Sequence, residues 1–399
     1  MESKVYIAGL GVISAIGNNV AENLASLKNS EAGIGAISNL NTVHKGEIPV
    51  AEVKLTNAQL AERAGLNTNI SRTALLSSVA AKEALDDSGI KDLSEIKIGF
   101  ISANTVGGMD KTECFVEDFF KDPQSGDLED VRNHGCGNIT ELVADQLGIN
   151  SYVTTISTAC SSSANSIFYA ARLIRSGVLD AAVAGGADAI TKFTLNGFNT
   201  LMILDRDLCK PFDQDRRGLN IGEGAGYVVL VSEKIAQMLD KKPYAILAGY
   251  ANKNDAFHQT ATSPDGDGPL MAMQGALAKA KLNSADISYI NLHGTGTPNN
   301  DQSEGKAVER MFEGNYPPMS STKTFTGHTL GASGGIEAVF SVLALNHGLV
   351  FPNLRFEHQM QDMPFAPQTT LLKDQPINHV LSNSFGFGGN CTSLIFSKA

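Results

Sequence analysis

Tyr152-Val153-Thr154-Thr155-Ile156-Ser157-Thr158-Ala159-Cys160-Ser161-Ser162-Ser163-Ala164 is the stretch on which the reading of the fold turns. β-branched and aromatic residues over 152–156 predict a strand. Small residues then lead into an aliphatic helix pattern that closes at Ser176-Gly177. A second stretch has the same build: Gly331-Ala332-Ser333-Gly334-Gly335 opens an aliphatic helix pattern that closes at His347-Gly348. A helix that begins in small residues can lie almost directly against another backbone. Two of matched length suggest two similar halves packed together, dividing near Lys241-Lys242-Pro243 into 1–242 and 243–399.

Outward from these stretches, apolar runs alternate with helix-length segments. Residues 5–10, 96–101, 181–184 and 227–231 read as strands in the first half, with helices near 20–28, 73–88 and 164–176. The second half repeats the rhythm with strands at 245–250, 287–292 and 380–385 and helices near 270–281 and 336–345. This alternation predicts an α/β protein with buried sheets covered by helices. The chain of 399 residues is 42% hydrophobic and 18% charged, enough for a sizeable core. A net charge of −11 disfavours nucleic-acid binding, which needs a basic face. No run of eighteen apolar residues occurs, and the chain begins directly in a strand pattern, so neither a membrane span nor a signal peptide is expected.

The five cysteines, Cys114, Cys136, Cys160, Cys209 and Cys391, are scattered and form no CxxC pair, so neither a disulfide framework nor a zinc site is expected, and a reducing cytoplasm fits. Cys160 differs from the rest in standing at a strand-to-helix turn. There the free N–H groups and the helix dipole favour a thiolate, the nucleophilic form. A small buried residue is the alternative at such a position.

Two histidines stand at comparable junctions. His293-Gly294-Thr295-Gly296-Thr297-Pro298 follows a strand, and the C-terminal ends of strands are where α/β sheets place ligand sites. Lys323-Thr324-Phe325-Thr326-Gly327-His328 precedes the second small-residue helix. Neutral imidazoles there can donate to a developing oxyanion, and Lys323 is placed to bias His328 electrostatically. His44, His134, His347, His358 and His379 read as structural, and no HxH or HxxxH spacing suggests a metal. Asn383-Ser384-Phe385-Gly386-Phe387-Gly388-Gly389 is a glycine-rich turn able to offer backbone N–H groups.

These residues resemble the β-ketoacyl-[acyl-carrier-protein] synthases, in particular the Cys-His-His elongation class (synthase II-like) of the thiolase-fold condensing enzymes. Besides the nucleophile, histidine and glycine-loop motifs, Val5-Tyr6-Ile7-Ala8-Gly9-Leu10-Gly11-Val12-Ile13-Ser14 is similar to the family's opening strand. Lys210-Pro211-Phe212-Asp213 and Gly222-Glu223-Gly224-Ala225-Gly226 are similar to its mid-chain motif. The resemblance implies a thiolase-like αβαβα sandwich of two halves with mixed five-stranded sheets, a homodimer, acyl carrier protein as partner and no cofactor. It implies that Cys160 carries the acyl chain, with the N–H groups of Cys160 and Phe387 as oxyanion hole and Phe387 as gate. His293 and His328 would stabilise the enolate of decarboxylating malonyl carrier protein, with Lys323 and Glu337 keeping His328 oriented. Thr295, Thr297, Thr262, Ser263 and Phe198 would contact substrate, and Arg63, Arg72 and Arg206 are candidates for carrier docking.

The chain departs from the family pattern in three places. Arg217-Gly218-Leu219-Asn220 stands where an acidic residue and Gly-Phe-Val are usual, the connection 205–209 is short, and Asn390-Cys391 replaces the usual Thr-Asn. These put substrate length and identity in question. A specialised synthase of polyketide or aryl-polyene biosynthesis is therefore the alternative, and a non-catalytic chain-length-factor-like partner a more distant one. A thiolase is disfavoured, because its second cysteine would have to be Cys391, which lacks that setting.

Overall fold

The computed structural model describes residues 3–399. Among them ten strands form one sheet: β1 (Val5–Ser14), β2 (Ile98–Ala103), β3 (Tyr152–Ile156), β4 (Ala181–Asp188), β5 (Gly224–Ser232), β6 (Ala245–Asn254), β7 (Tyr289–Asn291), β8 (Met319–Ser320), β9 (His379–Gly386) and β10 (Asn390–Ser397). Their order is β3-β2-β4-β5-β1-β6-β10-β9-β7-β8. Counting each half from its own first strand, both read third, second, fourth, fifth, first toward a shared seam. The directions match as well. In the first half β2 is parallel to β3 and β4, and β5 is antiparallel to β4 and β1. In the second, β7 is parallel to β8 and β9, and β10 is antiparallel to β9 and β6. The seam is short, with β1 and β6 pairing at Tyr6↔Ile246 and Ile7↔Ala245.

The two small-residue helices become Ser162–Arg175 and Ser333–His347, and they form the central layer between the two five-stranded halves into which the short β1–β6 seam divides the sheet. The helix Ser333–His347 is buried continuously from Ser333 to Leu345, which is why its pattern is aliphatic all round rather than on one stripe. Helices Arg72–Asp87 and Cys136–Leu147 cover the outer face of the first sheet, and Asp267–Ala280, with Pro298–Phe312 beside it, that of the second. The result is the αβαβα sandwich of the thiolase fold. No helix among the described residues is long and apolar enough to cross a membrane.

Small residues are required at the centre. Gly335 N–H donates to Ser163 Oγ at 2.8 Å, and a Cβ on Gly334 would stand 2.8 Å from Ala164 N. A Cβ on Gly226 of β5 would stand 2.3 Å from Ile336 N, against backbone that cannot give way. Gly226→Ala is expected to destabilise the protein by about 1–3 kcal/mol or more, read as a lower urea midpoint at unchanged m-value.

Candidate active site

Cys160 follows β3 and precedes the helix Ser162–Arg175. The turn is forced by Ala159, held at φ 53°, a left-handed conformation that costs a residue with a Cβ. Thr158 N–H donates to Ser162 Oγ at 2.7 Å and Ser162 Oγ donates to Ala159 O at 2.6 Å, so the strained turn is pinned on both sides. The sulfur is buried. Burial pushes the thiol up to about 11, while the Lys323 charge and the neighbouring backbone N–H groups of Phe387 and Cys160 pull the other way. The expectation of a thiolate-favouring helix start is therefore corrected: desolvation outweighs the donors.

His328 Nε2 lies 3.0 Å from Cys160 Sγ. Its Nδ1 accepts the Leu330 N–H at 3.1 Å, so the ring proton belongs on Nε2, facing the sulfur. Leu330 is itself held at φ 52°, the conformation that turns its N–H back onto the ring. The backbone of His328 is clamped as well: its N–H donates to Asn220 O at 2.7 Å, and its carbonyl accepts Gly222 N–H at 2.9 Å.

His293, two residues beyond β7, packs edge-on to His328 with ring centroids 5.5 Å apart. Lys323 Nζ lies 3.2 Å from His293 Nδ1 and donates to His293 O at 2.7 Å; it is also in contact with Glu337 Oε1. An ammonium can only donate, so Nδ1 of His293 accepts and its proton too is presented on Nε2. This corrects the expected partner of Lys323. Lys323 and Glu337 orient His293, whereas His328 is oriented by Leu330 N–H and by Ser333 Oγ, 3.1 Å from Nδ1. Burial first, then the Lys323 charge, holds both imidazoles well below their ordinary range, so both are neutral donors. Burial pushes the Glu337 carboxyl up to about 7, against the pull of the Lys323 ammonium.

Sequence reasoning passed over Asp301 and Glu304. Both are buried on the helix Pro298–Phe312, whose polar pattern conceals that it faces the site. Glu304 accepts the N–H groups of His293 at 2.9 Å and Gly294 at 2.8 Å, and Asp301 accepts that of Thr295 at 3.0 Å and those of Gly296 and Phe212. The spacing of eight and eleven residues from His293 was the available signal: one helical turn apart, on one face, just after a glycine-rich loop.

The three groups open onto an apolar cavity of about 330 Å³. Thr262, Thr295, Thr297, Phe198 and Phe387 line it as expected, and the Phe198 and Phe387 rings stack with centroids 6.1 Å apart. Ser263 does not reach it: its Oγ accepts Asp267 N–H at 3.0 Å, at the start of the helix Asp267–Ala280. Asn299 and Asn300 line the cavity and were not anticipated. Arg72 is no docking residue, because it is buried and ion-paired with Glu223 at 2.6 Å; Arg63 and Arg206 are exposed.

The unusual Leu219-Asn220 also finds a structural account. Leu219 lines the cavity. Asn220 Oδ1 accepts Cys209 N–H at 2.8 Å and its Nδ2 donates to the carbonyls of Asp205 and Asp207, satisfying the backbone of the short connection. Cys160, His293 and His328 bring ligand atoms within 4.8 Å of one another, but a cation there would face the Lys323 ammonium. Asp213, Asp215 and His358 also cluster, yet the Asp213 oxygens are already spent on the N–H groups of Asp215, Glu357 and His358.

Fold and site together define a condensing enzyme of the thiolase fold. The chain belongs to the β-ketoacyl synthase family: residues 2–236 match Beta-ketoacyl synthase, N-terminal domain, and residues 244–357 match Beta-ketoacyl synthase, C-terminal domain. It is 33% identical to 3-oxoacyl-[acyl-carrier-protein] synthase 2 of Staphylococcus aureus (strain N315), over 99% of this chain and 98% of the relative. Among solved structures, the ishigamide ketosynthase/chain length factor superposes with a TM-score of 0.94 at 29% identity, covering 100% of both chains. A type II PKS acyl-carrier protein in complex with its ketosynthase bound to the hexaketide (AntDE:AntF) superposes with a TM-score of 0.88 at 25% identity, again over 100% of both chains.

Because burial keeps Cys160 protonated, its alkylation by the neutral reagent iodoacetamide should keep rising from about pH 7 to about pH 10. A rate that levels off below about pH 8, measured by peptide mass spectrometry, would show a thiolate already formed.

Proposed function

We propose that the protein is a β-ketoacyl-[acyl-carrier-protein] synthase of fatty acid elongation. It catalyses decarboxylative Claisen condensation of an acyl group on Cys160 with malonyl carrier protein. One observation carries this reading: Cys160, two imidazoles presenting Nε2–H and two backbone N–H groups converge at the end of an apolar cavity. The Cys160 sulfur attacks the acyl thioester carbonyl, its proton leaving with the released carrier thiol, and the N–H groups of Cys160 and Phe387 hold the oxyanion. On malonyl carrier protein, the carbon–carbon bond to the carboxylate breaks and carbon dioxide leaves. The electron pair is held as an enolate by the Nε2–H groups of His293 and His328. That carbanion attacks the Cys160 thioester and expels the sulfur as thiolate, giving the β-ketoacyl product, and the thiolate takes up a proton from solvent to restore the thiol. No cofactor takes part. Thr262, Thr295 and Thr297 contact the pantetheine arm, and Phe387, stacked on Phe198, is the gate. Arg63 and Arg206 are the carrier-docking residues. The chain divides near residue 242 into a half carrying the nucleophile and a half carrying both histidines, and the protein works in the cytoplasm.

A homodimer is supported by two features of the surface. β3 is an edge strand, half-buried along its length, and the helix Met109–Lys121, held to the chain through Asp110 and Glu113, leaves large apolar side chains exposed. Val116, Phe119 and Phe120 of this helix and Phe193 at the start of the helix Lys192–Thr200 are exposed apolar side chains, and the rings of Phe119 and Phe120 are in contact. A second reading is favoured by the likeness to a ketosynthase/chain length factor: the same surface would take a related chain, and the enzyme would serve a specialised polyketide or aryl-polyene pathway. Weighing the products made from malonyl carrier protein and a panel of acyl carrier proteins separates the two.

Treatment with acyl donor should leave one adduct, on Cys160, and none on Cys160→Ala. His293→Ala and His328→Ala should still acylate but lose malonyl decarboxylation by roughly a hundredfold. Lys323→Ala should follow His293→Ala, as the contacts require; near-normal decarboxylation in both histidine variants would remove them from the mechanism. Replacing Phe119 and Phe120 together by Asp should halve the native mass, whereas an unchanged mass would place the interface elsewhere.

A further inference from the structure

The proposed oxyanion hole takes one N–H from each half of the chain, so two independent backbones must be held at one spacing. Cys160 N–H lies in the turn after β3, and Phe387 N–H lies in the turn between β9 and β10, where Gly388 and Gly389 have φ of 81° and 78°. Gly386 brings the second turn against the first, since a Cβ there would stand 2.8 Å from Thr158 O and 3.2 Å from Cys160 N. Contact alone sets only a lower limit on the distance. A hydrogen-bonded tie would set the distance itself.

The side chain of Asn390, the residue that ends the Phe387 turn, makes such a tie. Its Oδ1 lies 2.8 Å from Ser161 Oγ and accepts Asn165 Nδ2 at 2.9 Å and Asn252 Nδ2 at 2.6 Å. Ser161 adjoins the nucleophile, and Asn165 Nδ2 also reaches Thr158 Oγ1 at 2.8 Å, on the other side of the strained Ala159. Asn165 Oδ1 in turn accepts Thr392 Oγ1 at 2.5 Å and Asn252 Nδ2 at 3.1 Å. One oxygen thus gathers donors from the nucleophile turn, from the helix that follows it and from β6, and it belongs to the loop that carries the other oxyanion donor.

We propose that Asn390 is a positioning residue that fixes the spacing of the two oxyanion donors through this network. The inference rests on the functional reading above. Because every donor meets the same oxygen, Asn390→Asp keeps the tie and Asn390→Ala removes it. The two effects are separable in the reaction, since the oxyanion hole serves acyl transfer and the histidines serve decarboxylation. The parent enzyme must first acylate Cys160 from an acyl carrier protein; its failure to do so would overturn the functional reading and this inference with it, whereas a competent parent with unaffected variants would overturn this inference alone.

With a competent parent, single-turnover acylation should slow about tenfold or more in Asn390→Ala, a misplacement effect on kcat with KM little changed. Malonyl decarboxylation should stay within about twofold, and Asn390→Asp should recover most of the acylation rate. Asn390→Ser is made alongside, so that loss of fold in one variant leaves another readable by melting temperature. Acylation and decarboxylation falling together in a folded variant would overturn the assignment, as would acylation unchanged in Asn390→Ala or Asn390→Asp no better than Asn390→Ala.

Discussion

The structure depends on two backbones being allowed to touch. Where the helix Ser162–Arg175 meets the helix Ser333–His347, side chains are reduced to hydroxyls and hydrogens, and Gly335 N–H reaches Ser163 Oγ directly. Any larger residue would force the helix starts apart, and with them the turns just upstream. Those turns carry Cys160 and His328. A sulfur-to-nitrogen distance of 3.0 Å between residues 168 apart in sequence is thus a consequence of what the central layer lacks. The repeated strand order explains why the arrangement is stable: each sheet brings its own helix to the centre by the same path.

Electrostatics then divides labour between the halves. The first supplies a nucleophile that burial keeps protonated, and each half supplies one backbone donor beside it, Cys160 N–H from the first and Phe387 N–H from the second. The second supplies imidazoles that burial keeps neutral, each with its Nδ1 already engaged, one by an ammonium and the other by a backbone N–H. The carboxylates Asp301 and Glu304 spend their oxygens on the backbone of the His293 loop, so the loop glycines keep their positive φ without drifting. Buried charge is costly, and here it is placed where it fixes loops rather than where it meets substrate.

Much of this was legible in the chain. The small-residue echo at 160–177 and 331–348 announced the central helices, and the position of Cys160, His293 and His328 at element boundaries announced the site. What stayed hidden depends on distances between elements far apart in sequence. Proximity along the chain suggested that Lys323 serves His328, and its charge does help hold that imidazole neutral, but its hydrogen bonds go to His293 instead. Likewise Ser263 neighbours Thr262 in sequence but faces a helix start, and Arg72 reads as a surface charge until Glu223 is seen beside it. A helix start suggested a reactive thiolate, because sequence shows the dipole and not the desolvation. The helices Met109–Lys121 and Pro298–Phe312 were missed for different reasons: one leaves large apolar side chains exposed, and the other mixes buried Asp301, Ser303 and Glu304 with its few buried apolar residues.

The Leu330 N–H bonded to His328 Nδ1 has a consequence for how the site handles protons. An imidazole whose rear nitrogen is filled by a peptide donor cannot pick up a second proton without breaking that turn. His328 therefore behaves as a fixed dipole and not as a buffer. Its contribution is made before substrate arrives, with no reorganisation left for the moment of reaction. Binding heats measured in buffers of different ionisation enthalpy would carry no term from this residue. The site's response to acidification would come from its carboxylates and its carrier-borne substrates instead.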